Sequence, residues 1–268
     1  MSVALIVLSL LIGSLCGILA GLFGVGGGAV IVPAMRFLAP TLGLSPDVVM
    51  HAAVATSVAL IVPTSIISAR SHYRRGAVEM SVLKVWGPAI GLGAFLAGAV
   101  AAWLPTKVLG IIFGSVIILV GALMARGRPV PVISPNLPGK AAQGVIAGMI
   151  GLLSSWMGIG GGSLSVPTLS AFGVPVHRAV GTSAALGACI AIPALLGWIY
   201  SGWGVDSGTA PHFGFIQLVP FCLMLVPMMM LAPVGVRLAH ALPAQRLRRI
   251  FGLFLILTAS TLLAKSFY

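Results

Sequence analysis

The sequence predicts an all-helical protein that crosses a lipid bilayer several times, and three observations carry this prediction. First, 59% of the 268 residues are hydrophobic and only 7% are charged, whereas a soluble domain carries about 25% charged residues. Second, apolar runs of about 20 residues recur along the chain, which is the length a helix needs to span the hydrocarbon core. These runs lack the strict alternation of outer-membrane barrel strands. A multi-pass helical protein of the cell membrane (inner or plasma membrane) therefore accounts for the composition.

The third observation is a glycine-rich stretch that occurs twice, half a chain length apart. The first glycine motif is Gly24–Gly28, followed by a short apolar segment and Pro33. The second glycine motif is Gly158–Gly162, followed by a segment of the same length and Pro167. Each motif lies within a long apolar run and interrupts it, which predicts a broken helix in each half of the chain.

Two further matches follow the glycine motifs in the same order. The segment His51–Ser57 resembles His177–Ser183, and Leu104-Pro105 resembles Leu242-Pro243. Three matches in one order predict a duplicated unit. The halves would be residues 1–125 and 141–268, joined by a proline-rich linker over 126–140, where prolines are too dense to continue a helix.

Each half is expected to contain three full spans and one glycine-tipped broken segment, which gives about eight to ten helices in all. In the first half the apolar segments are 3–22 and 29–39 around the break, then spans over 48–69, 82–103 and 108–125. In the second half they are 141–157 and 163–173 around the break, then spans over 177–200, 214–240 and Arg246 to Leu263.

Basic residues in the loops predict that the two halves have opposite orientations. Arg70, Arg74 and Arg75 place the 70–81 loop in the cytoplasm, whereas the matching 201–213 loop has no Lys or Arg and is expected outside. The turn at Lys107 is poor in charge, whereas the matching segment at Arg246–Arg249 is rich in basic residues, so this pair of loops shows the opposite distribution. This pattern indicates an inverted-topology repeat, with the linker in the cytoplasm and both termini outside.

The formal net charge of +12 does not indicate a nucleic-acid partner here, because basic residues at span ends orient membrane proteins and contact anionic lipids. The acidic residues are more informative. Asp47, Glu79 and Asp206 are the only ones in the sequence, and all three fall in predicted loops. Because a cation pump usually keeps carboxylates within its spans, an anionic substrate is favoured.

The glycine motifs are the predicted substrate site: Gly24, Gly26, Gly27, Gly28, Gly158, Gly160, Gly161 and Gly162. Non-helical backbone at membrane depth must be buried in protein or line a cavity. A helix that restarts after such a break, near Ala29 and Ser163, presents free N–H groups and a positive dipole end to an anion. The alternative is that the glycines only allow close helix packing.

Polar residues in matching positions extend the candidate site. The hydroxyls of Thr56, Ser57, Thr182 and Ser183 could complete the coordination of an oxyanion or bond back to their own helices. His51 and His177 could couple transport to protons, although an interfacial role explains them as well. Arg178 could attract an anion into a vestibule, or simply set the topology.

Signatures of enzymes and of cofactor sites are missing from the sequence. Cys16, Cys189 and Cys222 have no paired spacing that suggests a metal or a disulfide. There is no Walker-type motif for ATP and no protease motif such as His-Glu-x-x-His. We therefore expect a non-enzymatic protein without cofactor or metal.

At its glycine motifs the sequence resembles the TauE/SafE family of sulfite exporters. The resemblance rests on the glycine motif with its following proline, found in both halves, and on the Thr-Ser element that follows each motif. It extends over about residues 5–264. The resemblance implies a multi-pass permease for sulfur-containing anions such as sulfite, sulfoacetate or related organosulfonates.

Three functions stay open at this point. A secondary transporter driven by an ion gradient, with H⁺ or Na⁺ as the coupling ion, is favoured by the predicted inverted repeat. An anion channel would use the same glycine-lined path without alternating gates. A non-transporting membrane scaffold or maturation factor would need the glycines only for packing. Assembly into a homo-oligomer also stays open.

Overall fold

The computed structural model describes residues 3–23, 27–126, 131–207, 209, 211–241 and 244–267. Within these ranges the chain forms ten α-helices and one short hairpin, so the predicted all-helical fold class is confirmed. The helices are α1 (Val3–Phe23), α2 (Gly28–Leu38), α3 (Val49–Arg74), α4 (Met80–Ala99), α5 (Thr106–Ala125), α6 (Lys140–Met157), α7 (Gly162–Ala171), α8 (Val176–Ser201), α9 (Leu218–Ala241) and α10 (Ala244–Phe267).

The helices differ in length as the broken-segment prediction requires. Among the described residues, six helices are long and apolar enough to cross a membrane, namely α1, α3, α4, α5, α8 and α9. By contrast, α2 and α7 contain 11 and 10 residues and begin directly after the glycine motifs. Helix restarts near Ala29 and Ser163 were predicted, and each restart lies one residue earlier, at Gly28 and Gly162.

The structure corrects the predicted span over 214–240. Residues 212–213 (β1) and 216–217 (β2) form an antiparallel hairpin, so the helix begins at Leu218. Gly214 adopts a φ of 58° in the turn, a conformation that glycine adopts without steric cost. The hydroxyl of Ser207 donates to the Gly214 carbonyl at 2.8 Å and holds this turn against the preceding loop.

Two helix pairs that correspond between the halves run antiparallel. In the pair α3 and α8, His51 at the start of α3 lies beside Trp198 near the end of α8. In the pair α5 and α10, Gly114 packs on Leu263, and Gly121 packs on Gly252. An inverted repeat requires this arrangement wherever an element meets its own counterpart. The repeat itself stays a prediction.

Two other pairs run parallel and link the halves. Helix α1 packs on α9, with Gly13 against Met224 and Gly17 against Met228. Helix α4 packs on α6, where the indole Nε1 of Trp86 donates to the Gln143 side chain at 3.1 Å. In the predicted repeat, α1 corresponds to α6 and α4 corresponds to α9. The pair α1–α9 is therefore the counterpart of the pair α4–α6. The bundle is therefore built mainly from contacts between the halves.

The interior of the described part of the chain is apolar and contains no formal charge. Its largest buried side chains include Trp86, Trp198 and Phe113. The buried polar residues are Ser, Thr, Gln and one His; no Lys, Arg, Asp or Glu is among the buried residues that the structure describes. A polar solute inside this bundle would therefore meet hydroxyl, amide and backbone groups.

Candidate functional site

The glycine motifs produce sharp breaks between helices. Helix α6 ends at Met157, and Gly158 follows with a φ of 60°. Gly27 precedes α2 with a φ of 75°. Residues with side chains rarely adopt such positive φ values, which accounts for glycine at these two positions. Gly24 and Gly26 lie outside the described residues.

The two glycine motifs contact each other. A Cβ atom added at Gly28 would overlap the carbonyl oxygen of Gly158 and would lie 3.0 Å from the Ile159 Cα atom. Backbone therefore meets backbone at this point, and only glycine permits so close an approach. The structure thus brings together two motifs that are half a chain apart in the sequence.

Ser57 fixes this contact from α3. Its hydroxyl donates to the Gly158 carbonyl at 2.7 Å, and the serine is fully buried. Ser57 lies eight residues after the start of the 26-residue α3, or ~12 Å along a helix of ~39 Å. The meeting point of the two motifs therefore lies well inside the bundle.

Thr56 and Thr182, in matching positions of α3 and α8, cap helices of the opposite half. The hydroxyl oxygen of Thr56 accepts the backbone N–H of Gln217 at 3.0 Å, immediately before α9. The hydroxyl oxygen of Thr182 accepts the backbone N–H of Glu79 at 2.8 Å, immediately before α4. Each threonine thus satisfies a donor at a helix start that would otherwise lack a partner.

Ser183 differs from its counterpart Ser57. It is 1% exposed, and its hydroxyl has no hydrogen-bond partner among the described residues. Around the second glycine motif, Ser155, Ser163 and Ser165 share this condition. Gly160, Gly161 and Gly162 are also buried or partly buried at this break. These three serines were not among the predicted site residues, although the Ser163-Leu164-Ser165 pattern follows the motif directly.

The two matching histidines occupy different environments. His51 is 3% exposed, and its Nε2 lies 3.0 Å from the carbonyls of both Ala101 and Leu104. This nitrogen therefore carries the proton, and Nδ1 faces the Thr106 hydroxyl at 3.2 Å. His177, at the start of α8, is exposed. Their role in proton coupling stays a prediction.

Arg178 forms an ion pair with Glu79. The guanidinium donates to the carboxylate at 2.6 Å, and the two side chains are 50% and 30% exposed. This hydrogen bond keeps the pKa of the Glu79 carboxyl below its ordinary value. The pair joins the start of α8 to the start of α4, next to the Thr182 cap.

A cavity of about 950 Å³ opens at the start of α3, next to His51. We call it the vestibule; it is lined by Arg36 and Lys107, by Asp47 and His51, and by residues of the turns around 39–48 and 102–107. The glycine motifs are not among its lining residues. Among the described residues, no group of three His, Cys, Asp or Glu side chains comes together as metal ligands would.

These features define a multi-pass helical membrane protein in which two broken helices meet inside the bundle. The chain belongs to the sulfite exporter TauE/SafE family, whose model matches residues 9–262. The predicted family is therefore confirmed, and the protein is a membrane transporter rather than an enzyme.

Several curated relatives are similar over nearly the full length of the chain. A "probable membrane transporter protein" of Haemophilus influenzae is 34% identical over 262 residues, which cover 97% of this chain and 98% of that protein. A protein of the same description from Methanocaldococcus jannaschii is 27% identical, with 94% and 96% covered. Another from Bacillus subtilis is 24% identical, with 88% and 91% covered. No solved structure gives a significant match.

Proposed function

We propose that this transporter is a secondary permease of the cell membrane for small sulfur-containing anions, such as sulfite, sulfoacetate or related organosulfonates. The substrate would bind between the two glycine motifs, near the middle of the membrane. The observation that carries this proposal is the contact between Gly28 and Gly158, which joins two helix breaks deep within the bundle. The family description, sulfite exporter, supports sulfur oxyanions as the cargo.

The chemistry at the breaks suits an anion. Helices α2 and α7 both start there, so their first-turn N–H groups and positive dipole ends lie at the breaks. Hydroxyls of Ser163 and Ser165 add further donors. Neither Asp nor Glu is among the buried residues that the structure describes, so no buried carboxylate there opposes an anion.

Two observations support a gated transporter over an open channel. The backbone contact between Gly28 and Gly158 leaves no room for a solute at that point, which favours a path that opens when the halves move apart. The antiparallel pairing of α3 with α8 also fits the predicted repeat of residues 1–125 and 141–268 across the 126–140 linker. Inverted repeats support alternating access by rocking of one part against the other. Either H⁺ or Na⁺ would serve as the coupling ion.

The Gly161→Ala variant tests this site. The added methyl group would lie 2.6 Å from the end of the Ile190 side chain, which can move, and 3.5 Å from the Ser165 hydroxyl. The fold should therefore tolerate the change, whereas a ligand at the start of α7 should not. Gly144→Ala is the matched control, because a Cβ at this position of α6 would contact nothing within 4 Å.

The measurement is thermal stabilisation of the purified protein by sulfite, thiosulfate, sulfate, sulfoacetate and a carboxylate control. A ligand that binds only the folded state raises its apparent stability. We expect sulfur anions to stabilise the wild type and Gly144→Ala but to lose this effect in Gly161→Ala. Stabilisation by the carboxylate alone, or equal stabilisation of both variants by sulfite, would contradict the proposal.

A further inference from the structure

The second glycine motif is flanked by buried hydroxyls that lack a hydrogen-bond partner among the described residues. They belong to Ser155, Ser163, Ser165 and Ser183, whose exposed fractions are 0%, 9%, 0% and 1%. Buried polar groups are normally paired, so a group of unpaired ones in one place requires an explanation. A polar ligand bound at this place would complete their hydrogen bonds.

The four serines lie on the three helices around the break, α6, α7 and α8. Ser155 lies in the last turn of α6, where its carbonyl accepts the Gly158 N–H at 3.1 Å. Ser163 and Ser165 lie at the start of α7, and the Ser165 hydroxyl lies 3.5 Å from the position of a Cβ at Gly161. Both therefore adjoin the free amides of the first turn of α7.

Ser183 lies on the face of α8 that is turned towards this break. Gly187 and Ile190 lie four and seven residues further along α8, on the same face as Ser183. The end of the Ile190 side chain lies 2.6 Å from a Cβ at Gly161, and the Gly161 nitrogen lies 3.9 Å from a Cβ at Gly187. The face of α8 that carries Ser183 is thus the face that packs on the second glycine motif.

The first glycine motif lacks this set of hydroxyls. Gly21, Ala29 and Ile31 occupy the positions that correspond to Ser155, Ser163 and Ser165. Ser57, the counterpart of Ser183, already donates its hydroxyl proton to Gly158. Among the described residues, this group of unpaired hydroxyls around a glycine motif therefore occurs only at the second motif.

We propose that these four serines and the first-turn amides of α7 form the anion-binding half of the site, and that this half holds a singly charged sulfonate or hydrogensulfite group. The inference rests on the proposed transport function and deepens it. Hydroxyl and amide groups donate hydrogen bonds to the oxygens of the anion. The first motif contributes close packing and closes the site.

The preference for one negative charge follows from the uncharged interior. No Lys or Arg is among the buried residues that the structure describes, so no buried cation there offsets the charge of the ligand. The Born cost of burying an ion grows with the square of its charge, so a dianion costs about four times as much as a monoanion of the same size. Methanesulfonate should therefore bind more tightly than sulfate.

The test compares Ser165→Ala and Ser183→Ala with two control variants. Ser9→Ala and Ser170→Ala also remove a buried hydroxyl without a partner among the described residues. Ser9, however, lies in α1, and Ser170 lies at the far end of α7. Binding of sulfite, methanesulfonate and sulfate is measured by calorimetry on the purified full-length protein, together with the melting temperature without ligand.

We expect Kd for sulfite and methanesulfonate to rise about ten-fold or more in Ser165→Ala and in Ser183→Ala, because each loses a hydrogen bond to a charged ligand. Both control variants should stay within about two-fold of the wild type. Without ligand, the melting temperature should stay constant or rise, since an unpaired buried hydroxyl is removed. This combination separates a ligand-binding role from a structural one.

Three results would overturn the inference, and they can be told apart. If no sulfur anion binds the wild type, the proposed transport function fails and the site fails with it. If sulfite binds and the Ser165 and Ser183 variants retain the wild-type Kd, the site alone fails. If sulfate binds as tightly as methanesulfonate, the preference for a single charge is wrong.

Discussion

Replacement of Gly28 by alanine would test whether the contact between the glycine motifs holds the halves together. The added Cβ would lie 3.0 Å from both the carbonyl carbon of Gly158 and the Ile159 Cα atom, whereas ordinary contacts begin at 3.4 Å. These backbone atoms would have to retreat by at least about 0.4 Å, and the overlapped carbonyl oxygen by more. No side-chain rotation relieves such a clash.

The size of the effect follows from two opposing terms. Overpacking in a dense interior costs about 1–3 kcal/mol, and we expect the upper end because both partners are backbone. Alanine is about 1 kcal/mol better than glycine in a helix interior, and this is an upper bound for Gly28, the first residue of α2. The net loss of stability should thus be about 2 kcal/mol. Gly144→Ala has the higher helix propensity of alanine and creates no steric overlap, so this variant should be stabilised by up to about 1 kcal/mol.

The assay measures unfolding of both variants in detergent micelles, followed by uptake of labelled sulfite into proteoliposomes. We expect the two variants to differ by about 3 kcal/mol in stability, and uptake to be lost in Gly28→Ala alone. If Gly28→Ala were as stable as Gly144→Ala and transported at the wild-type rate, the contact would not constrain the halves.

Two further predictions concern the helix starts that the opposite half caps. Thr56→Val leaves the N–H of the fully buried Gln217 unpaired, which should cost about 1–3 kcal/mol. Thr182→Val should cost less, because the N–H of the partly exposed Glu79 can bind water; equal losses of thermal stability would contradict this ranking. The second prediction is a pH dependence, because the hydrogen bond from Arg178 lowers the pKa of Glu79 below 4.5. The contribution of this ion pair to the stability of the fold is complete above pH 4.5. It is lost as the pH falls through the lowered pKa that Glu79 has in the folded state. Its size is below about 1 kcal/mol for exposed side chains. Glu79→Gln should remove this acid-dependent part of the melting curve, and an unchanged pH profile would disprove it.

The local features of the fold could be predicted from the sequence. Glycine runs in apolar segments indicate where a helix breaks, because residues with side chains rarely adopt the φ values found at Gly27 and Gly158. The restarts of α2 and α7 were therefore predicted to within one residue. The hairpin at 212–217 was missed because its two strands are short and adjoin an apolar run that extends into α9.

The partners across the chain could not be predicted. Thr56 and Thr182 were recognised as candidate polar residues, but the sequence does not indicate that they accept backbone N–H groups from the opposite half. Nor does it distinguish Ser57, which has a partner, from Ser183, which has none among the described residues. Such differences depend on packing between segments more than a hundred residues apart, where no short-range pattern applies.

The reciprocal threonine caps also constrain the order in which the protein can mature during synthesis. The Glu79 amide and its acceptor on Thr182 are separated by 103 residues. The Thr56 hydroxyl and its donor, the Gln217 amide, are separated by 161 residues. When the ribosome has completed the first half, α4 is inserted with its first amide still uncapped, and the Thr56 hydroxyl has not yet met the Gln217 amide. The two caps can therefore form only after Thr182 and Gln217 have been synthesised. A chain that stops within the linker would therefore carry neither cap.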